Sequence, residues 1–236
     1  MGRTSGDGRA GAGDLRTACM LALTFSAGVA DAAGYLALDR VFVGNMTGNL
    51  IILGMAVGRP DGLPVAGPLA ALAAFMAGAA IGGRVLRTAA GGWTSRVTAL
   101  LGVVAGIMAA CVIVDLVRPV AGGSPEGVLL AAMLACALGI QAATAHRVAV
   151  PNVTTVVITS TLTVLASESR LAGGRGQAWV RRSSAIAALA LGAAAGALLL
   201  RVGLAACVGL AVLVTVLSTA AGHATRARRA MPPPAG

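Results

Sequence analysis

Residues 97–117 read VTALLGVVAGIMAACVIVDLV, an apolar run in which Asp115 is the only charged side chain. About 20 such residues in a helix span the hydrocarbon core of a bilayer. Seven further apolar segments accompany this run, at residues 17–38, 41–58, 65–83, 127–145, 148–167, 183–200 and 202–221. The pattern predicts an all-α, polytopic membrane helix bundle.

Composition excludes a water-soluble domain. Of the 236 residues, 57% are hydrophobic and only 11% are charged, with a mean hydropathy of +0.87. A soluble domain carries about 25% charged residues. The net charge of +10 comes from arginines at the edges of apolar segments, with few aromatic residues between them. We therefore attribute the charge to the positive-inside bias of membrane proteins and expect no nucleic-acid partner.

The apolar segments form two repeats. Gly28 aligns with Gly139 at an offset of 111 residues, and the Gly78/Gly82 pair aligns with Gly192/Gly196 at an offset of 114. We expect a disordered tail at 1–14, a first membrane repeat at 15–121, a second at 122–222, and a basic, proline-rich tail at 223–236. Each repeat would contain four segments.

The second segment of each repeat is interrupted by polar residues. Residues 41–54 read VFVGNMTGNLIILG, and residues 150–163 read VPNVTTVVITSTLT. Backbone that departs from helix at membrane depth survives only inside protein or beside a water-filled cavity. If both segments dip in and return, six helices cross and the arginines divide 14 to 4 between the two sides. The alternative, eight crossings, divides them 12 to 6. The positive-inside bias favours six crossings, inverted repeats and cytoplasmic termini.

The candidate solute-binding residues lie in these two segments and beside them. Asp31 is an acidic residue deep in an apolar run. It either titrates or orients a solute, or it caps the broken segment that follows. If Asn49 and Thr159 begin half-helices, the positive helix ends would favour an anion or a polar solute. The predicted set is Asp31, Asn45, Thr47, Gly48, Asn49, Asn152, Thr154, Thr155, Thr159, Ser160 and Thr161.

The first interrupted stretch also resembles a known family. The run from Ala27 to Tyr35, followed by the run from Val41 to Asn49, is similar to the hallmark of the YoaK-like bacterial membrane proteins. The stretch from Gly139 to Leu162 resembles the second characteristic region of that family, with Ser160 in place of a usual glycine. The resemblance covers about residues 17–221. It implies a small inner-membrane protein of a family whose domain has no known function.

Two functions fit this sequence. The first is a small secondary transporter or permease whose polar or anionic solute binds between the two interrupted segments. The second is a non-transporting membrane scaffold or accessory subunit, in which the polar residues only join helices. We expect no enzyme activity, cofactor or metal site, because no catalytic set stands out and only two histidines occur. The lipid bilayer is the expected partner, and a homo-oligomer remains open.

Overall fold

The structure is a computed structural model that describes residues 4–58, 62–89, 91–148, 158–168 and 179–230. Within these ranges the chain forms eight α-helices and no strand. The helices are α1 (Thr4–Ala37), α2 (Met46–Gly58), α3 (Ala66–Leu86), α4 (Ser95–Val117), α5 (Pro125–Val148), α6 (Ile158–Ser167), α7 (Trp179–Leu199) and α8 (Leu204–Ala230).

Six of these helices are long and apolar enough to cross a membrane. The candidate spans are Asp14–Ala37, Ala66–Leu86, Ser95–Val117, Pro125–Val148, Trp179–Leu199 and Leu204–Arg226. The 13 residues of α2 cover only about 20 Å, short of the roughly 30 Å core. The predicted polytopic helical bundle is confirmed.

The end of the bundle where α1 begins is here called the proximal end. A Cβ added at Gly92, just before α4, would lie 3.4 Å from Nη1 of Arg16 in α1. The Trp93 ring, just before α4, packs against Gly222 near the end of α8. Arg147, at the end of α5, donates a hydrogen bond to the carbonyl oxygen of Ala89, which follows α3. The proximal end therefore joins the ends of α3, α5 and α8 to the start of α4.

The opposite, distal end gathers the end of α1 and the connections that follow α2 and α4. Arg40 Nη1 donates to the carbonyl oxygen of Gly62 at 3.0 Å. Since Arg40 precedes α2 and Gly62 follows it, the chain enters and leaves this segment at the same end. Asp115, near the end of α4, accepts a hydrogen bond from the Ala205 N–H in the first turn of α8 at 2.9 Å. The α2 segment is thus a re-entrant hairpin.

Helix directions support six crossings. Gly192 and Gly196 of α7 pack against Phe25 and Val29 of α1 in the same order, so α1 and α7 run parallel. Because α5 ends at the proximal end and α7 starts there, the segment that joins them also begins and ends on one side. Each half therefore contributes three crossings, and the halves are inverted relative to each other.

Close helix contacts recur with the offsets found in the sequence. A Cβ added at Gly28 would lie 2.2 Å from the Leu189 carbonyl oxygen, and one added at Gly139 would lie 2.2 Å from the Phe75 carbonyl oxygen. Gly28 and Gly139 differ by 111 residues, and Phe75 and Leu189 by 114. The α1–α7 and α3–α5 interfaces are therefore equivalent, and each joins the first helix of one half to the third helix of the other.

The remaining helix contacts divide the eight helices into two groups, here called bodies. One body contains α2, α3, α4 and α5, because α2 packs on α3 and α5 packs on both α3 and α4. The other contains α1, α6, α7 and α8, because α6 packs on α7 and α1 packs on both α7 and α8. The two bodies meet through the contact between α4 and α8, which is more extensive than that between α4 and α5, and through a smaller contact between α1 and α5.

Three local predictions differ from the structure. Helix α1 begins at Thr4, inside the stretch 1–14 that was expected to be disordered, and α8 continues to Ala230. Extending an existing helix avoids the cost of nucleation, which explains both extensions. The break of the second segment lies before α2, which starts at Met46 rather than at Asn49.

Candidate functional site

The re-entrant hairpin starts with a turn in a rare backbone conformation. Asp39 and Arg40 both have positive φ angles, of 64° and 57°. The left-handed region costs a non-glycine residue on the order of 1 kcal/mol. The turn reverses the chain, so that the Val41 N–H donates back to the Gly34 carbonyl oxygen at 3.3 Å. Residues after this turn thereby run back along the last turns of α1.

The Asp31 carboxylate holds the backbone that precedes α2. Its Oδ1 accepts hydrogen bonds from the N–H groups of Val43 at 2.9 Å, Gly44 at 2.7 Å and Asn45 at 3.3 Å. Asp31 lies six residues before the end of α1, or about 9 Å along its axis. These N–H groups would otherwise lack partners inside a membrane. The bonds thus satisfy a partly buried carboxylate and a partly buried stretch of backbone together.

Asn49 holds the same loop from the other side. Its Oδ1 accepts from the Phe42 N–H at 2.9 Å, and its Nδ2 donates to the Phe42 carbonyl oxygen at 2.6 Å. The Asn49 side chain is fully buried. The Phe42 peptide has no partner in a helix or strand, and these two bonds satisfy its N–H and carbonyl groups. Asn49 therefore fixes the loop against α2.

The first turn of α2 carries the other predicted residues. Asn45 precedes the helix, and its Oδ1 accepts from the Gly48 N–H at 3.4 Å. A Cβ added at Gly48 would lie 2.6 Å from the Phe42 ring, so glycine permits this contact. Thr47 is exposed and borders a shallow surface depression that is lined by α2 alone, with Met46, Leu50 and Ile51 as its other residues. Asn45 and Thr47 are therefore the predicted polar residues here that are exposed.

Much of the second interrupted segment, residues 149–157, lies outside the described residues. Asn152, Thr154 and Thr155 lie outside the described residues. Thr159, Ser160 and Thr161 belong to the first turn of α6. Helix α6 packs on α7 and helix α2 packs on α3, and among the described residues α2 and α6 share no contact.

A group of buried polar side chains in α1, α5 and α8 was missed by the sequence reasoning. Its members are Thr24, Ser26, Gln141, Thr144, Thr215 and Ser218. Ser26 lies 3.0 Å from Thr215, and Gln141 Nε2 donates to the Leu23 carbonyl oxygen at 3.0 Å. The remaining members bond carbonyl groups four residues earlier in their own helices. The detectable signal was Gln141, an amide within an apolar run.

Metal chemistry has no evident basis in the described ranges, where no three His, Cys, Asp or Glu side chains lie together. The four cysteines at 19, 111, 136 and 207 are all unpaired thiols in separate helices. Hydrogen bonding by carboxylate, amide and backbone groups is the chemistry that this site offers.

Fold and site together define a polytopic membrane protein with inverted repeats and a re-entrant hairpin. Residues 19–221 match the family described as "Protein of unknown function (DUF1275)". The chain belongs to this family.

One curated relative supports the assignment. The chain is 31% identical over 151 residues to the UPF0700 transmembrane protein YoaK of Bacillus subtilis (strain 168). The match covers 64% of this chain and spans 65% of the length of YoaK. No solved structure matches the chain. The resemblance predicted from the two motif regions is confirmed.

Proposed function

We propose that this protein is a small secondary transporter or permease for a small polar solute, with the re-entrant hairpin as its gate. Paired interrupted segments in inverted repeats are a recurring design of secondary transporters, which work by rocking one body against the other. The family description names no activity, so the proposal rests on the geometry of this chain.

The observation that supports this proposal best is the link that Asp31 makes between the two bodies. Asp31 belongs to α1, which packs on α7 and α8, whereas the hairpin that it holds belongs to α2, which packs on α3. Any displacement of α1 relative to α3 must therefore carry the loop from Val43 to Asn45 along, or break its hydrogen bonds. A loop that responds in this way can open or close a path beside α2.

The hairpin also bears on the class of solute. The start of α2 carries the positive end of the helix dipole, which favours an anion. The Asp31 carboxylate already lies there, bonded to the Gly44 N–H at 2.7 Å. An anionic solute would meet this charge at short range. We therefore favour a neutral polar solute over an anionic one at the first half, with Thr47 as the contact residue.

We further propose that the proximal end faces the cytoplasm of a bacterial inner membrane. Arginines 16, 84, 87, 96, 147 and 226 lie at or near that end, whereas arginines 40, 118 and 201 lie at the distal end. Positive residues accumulate on the cytoplasmic side of short loops. Both chain ends would then be cytoplasmic.

The test is solute flux into liposomes that contain the purified full chain, after a screen of neutral polar metabolites and small anions for thermal stabilisation. Asp31→Asn keeps the size of the side chain but removes the charge, so we expect flux to fall at least tenfold. Asp115→Asn is the matched control, because Asp115 also accepts backbone N–H groups, from Val120 and Ala205, and also joins the two bodies, through α4 and α8. No described residue of α4 contacts α2, so this variant weakens a link between the bodies without touching the hairpin. Equal flux in the two variants, or no flux for any solute, would overturn the proposal.

One observation favours a scaffold or accessory subunit instead. Asp31, Asn45 and Asn49 all use polar atoms to hold the hairpin itself. In that case Asp31→Asn and Asp115→Asn would lower the unfolding temperature to a similar degree, and no solute would bind the wild-type protein. The same two variants therefore separate the two functions.

A further inference from the structure

A groove between α4 and α8 lies apart from the hairpin. Its volume is about 370 Å³. The groove exists because α4 and α8 both carry small residues along it. Polar residues lie at its proximal end, here called the mouth. The residues that matter here are Gly102, Ala105 and Ala220 along the groove, and Thr98, Thr219 and His223 toward the mouth. Gly102, Ala220 and His223 are exposed, so the groove opens onto the surface that faces lipid.

The groove is amphipathic along its length. From Ala105 to Thr98 it runs seven residues of α4, or about 10 Å, toward the proximal end. Thr98 and Thr219 already bond protein groups, namely the Trp93 indole N–H at 3.0 Å and the Thr215 carbonyl oxygen at 2.7 Å. The His223 imidazole has no hydrogen-bond partner among the described residues. A groove that is apolar along its length and polar at one end has the same polarity pattern as a lipid, with an apolar acyl chain and a polar headgroup.

Charge at the mouth selects the kind of headgroup. Arg226 lies three residues after His223, on the same face of α8, and is exposed. Two ion pairs occur within the described ranges, Arg118 with Glu126 and Arg182 with Glu168, so neither involves Arg226. Trp93 packs against Gly222 beside the mouth, at the level where membrane proteins place tryptophan. The mouth therefore has positive charge available for an anion.

We propose that the groove between α4 and α8 binds an anionic phospholipid, with an acyl chain along Gly102 and Ala105 and the phosphate beside His223 and Arg226. Basic pockets between helices at the cytoplasmic surface bind acidic lipid headgroups in this manner. The site is independent of the hairpin and of any transport through it.

The groove can be filled without disturbing the fold. A Cβ added at Gly102 meets no atom within 4 Å, and the same holds at Gly83 of α3, which is exposed but does not line the groove. Leucine side chains in helices lean toward the preceding turn, so Gly102→Leu would occupy the space toward Thr98. Gly83→Leu is the matched control.

The experiment is native mass spectrometry of the delipidated full chain with phosphatidylglycerol, with phosphatidylcholine, and with inorganic phosphate. We expect a saturable phosphatidylglycerol adduct that Gly102→Leu abolishes and Gly83→Leu retains. Arg226→Gln should weaken it about fivefold, the effect of one basic residue near an anionic surface, whereas the distal Arg201→Gln should not.

Four outcomes would overturn the proposal. Equal binding of phosphatidylcholine would show that the negative charge of the headgroup does not contribute to binding. Retention of the adduct in Gly102→Leu would show that the lipid binds elsewhere. A dimer that Gly102→Leu dissociates would show that the groove seats a second copy of the chain. Binding of inorganic phosphate with wild-type affinity for the lipid would identify an anion site without an acyl chain.

Discussion

Substitution of the glycines at the α1–α7 and α3–α5 interfaces tests the inverted repeat directly. A Cβ at Gly28 would lie 2.2 Å from the Leu189 carbonyl oxygen, whereas carbon and oxygen approach comfortably only to about 3.3 Å. Both atoms at this contact are held by helix backbone, so Gly28→Ala must push α1 and α7 apart by about 1 Å. Gly139→Ala should displace α5 from α3 by the same amount, since its Cβ also lies 2.2 Å from a carbonyl oxygen.

The expected loss of stability follows from packing. Association of helices in lipid depends on van der Waals contact. If roughly 50 atom pairs worth about 0.15 kcal/mol each lose a third of their attraction, the loss is about 2.5 kcal/mol. This agrees with the roughly 1–3 kcal/mol range for overpacked sites. Gly209→Ala, where the added Cβ meets no atom within 4 Å, should not destabilise the protein.

Double substitutions sharpen the test. Gly28→Ala and Gly192→Ala affect the same interface, so together they should cost less than the sum of their separate effects. Gly28→Ala and Gly139→Ala affect different interfaces and should add to about 5 kcal/mol. Unfolding in detergent by titration with a denaturing surfactant, followed by circular dichroism, measures these differences. A loss below about 0.5 kcal/mol for Gly28→Ala, or equal coupling in the two doubles, would refute this account of the interfaces.

Three further results are expected. Asn49→Leu removes both bonds to the partly buried Phe42 peptide and should lower the free energy of unfolding by about 2–3 kcal/mol, measured in the same titration. A loss under about 1 kcal/mol would contradict the role of Asn49. Gly222→Ala should displace the Trp93 ring, which lies 2.1 Å from the added Cβ. In a background without the other tryptophan, the fluorescence of Trp93 should then shift to the red, and unchanged emission would contradict this contact. In a cysteine-free background, Asp39→Cys and Arg87→Cys should react with an impermeant maleimide from opposite sides of the membrane, and labelling from one side would contradict six crossings.

Much of the fold could be predicted from the sequence because its signals are local. Apolar runs of about 20 residues identify the spans, and the spacing of Gly28, Gly78, Gly139 and Gly192 reveals the repeat. The exchange of partners between the halves could not be read in this way. A glycine stripe allows close approach of another helix but does not say which one. The partner depends on loop geometry and on the packing of all six spans.

The role of Asp31 shows a second limit. An acidic residue within an apolar run indicates an unusual site, and both a capping role and a solute-binding role were open. The structure shows three backbone N–H groups, from Val43, Gly44 and Asn45, as the partners of its carboxylate. Backbone donors leave no trace in the sequence, because every residue except proline carries one. The capping role thus became visible only once the turn at Asp39 and Arg40 was in place.

The geometry of the hairpin also constrains how it can move. Hydrogen bonds to a charged group contribute about 1.5–3 kcal/mol each, so the three bonds to Asp31 hold the loop to α1 strongly. Helix α2 packs on α3, and its buried residues besides Asn49 are Ile52 and Ala56, whose side chains have no directional bonds to lose. When α1 and α3 shift relative to each other, sliding α2 over α3 therefore costs less than breaking the loop from Asp31. The hairpin should accordingly move with α1, and Asp31→Asn should release it to stay with α3.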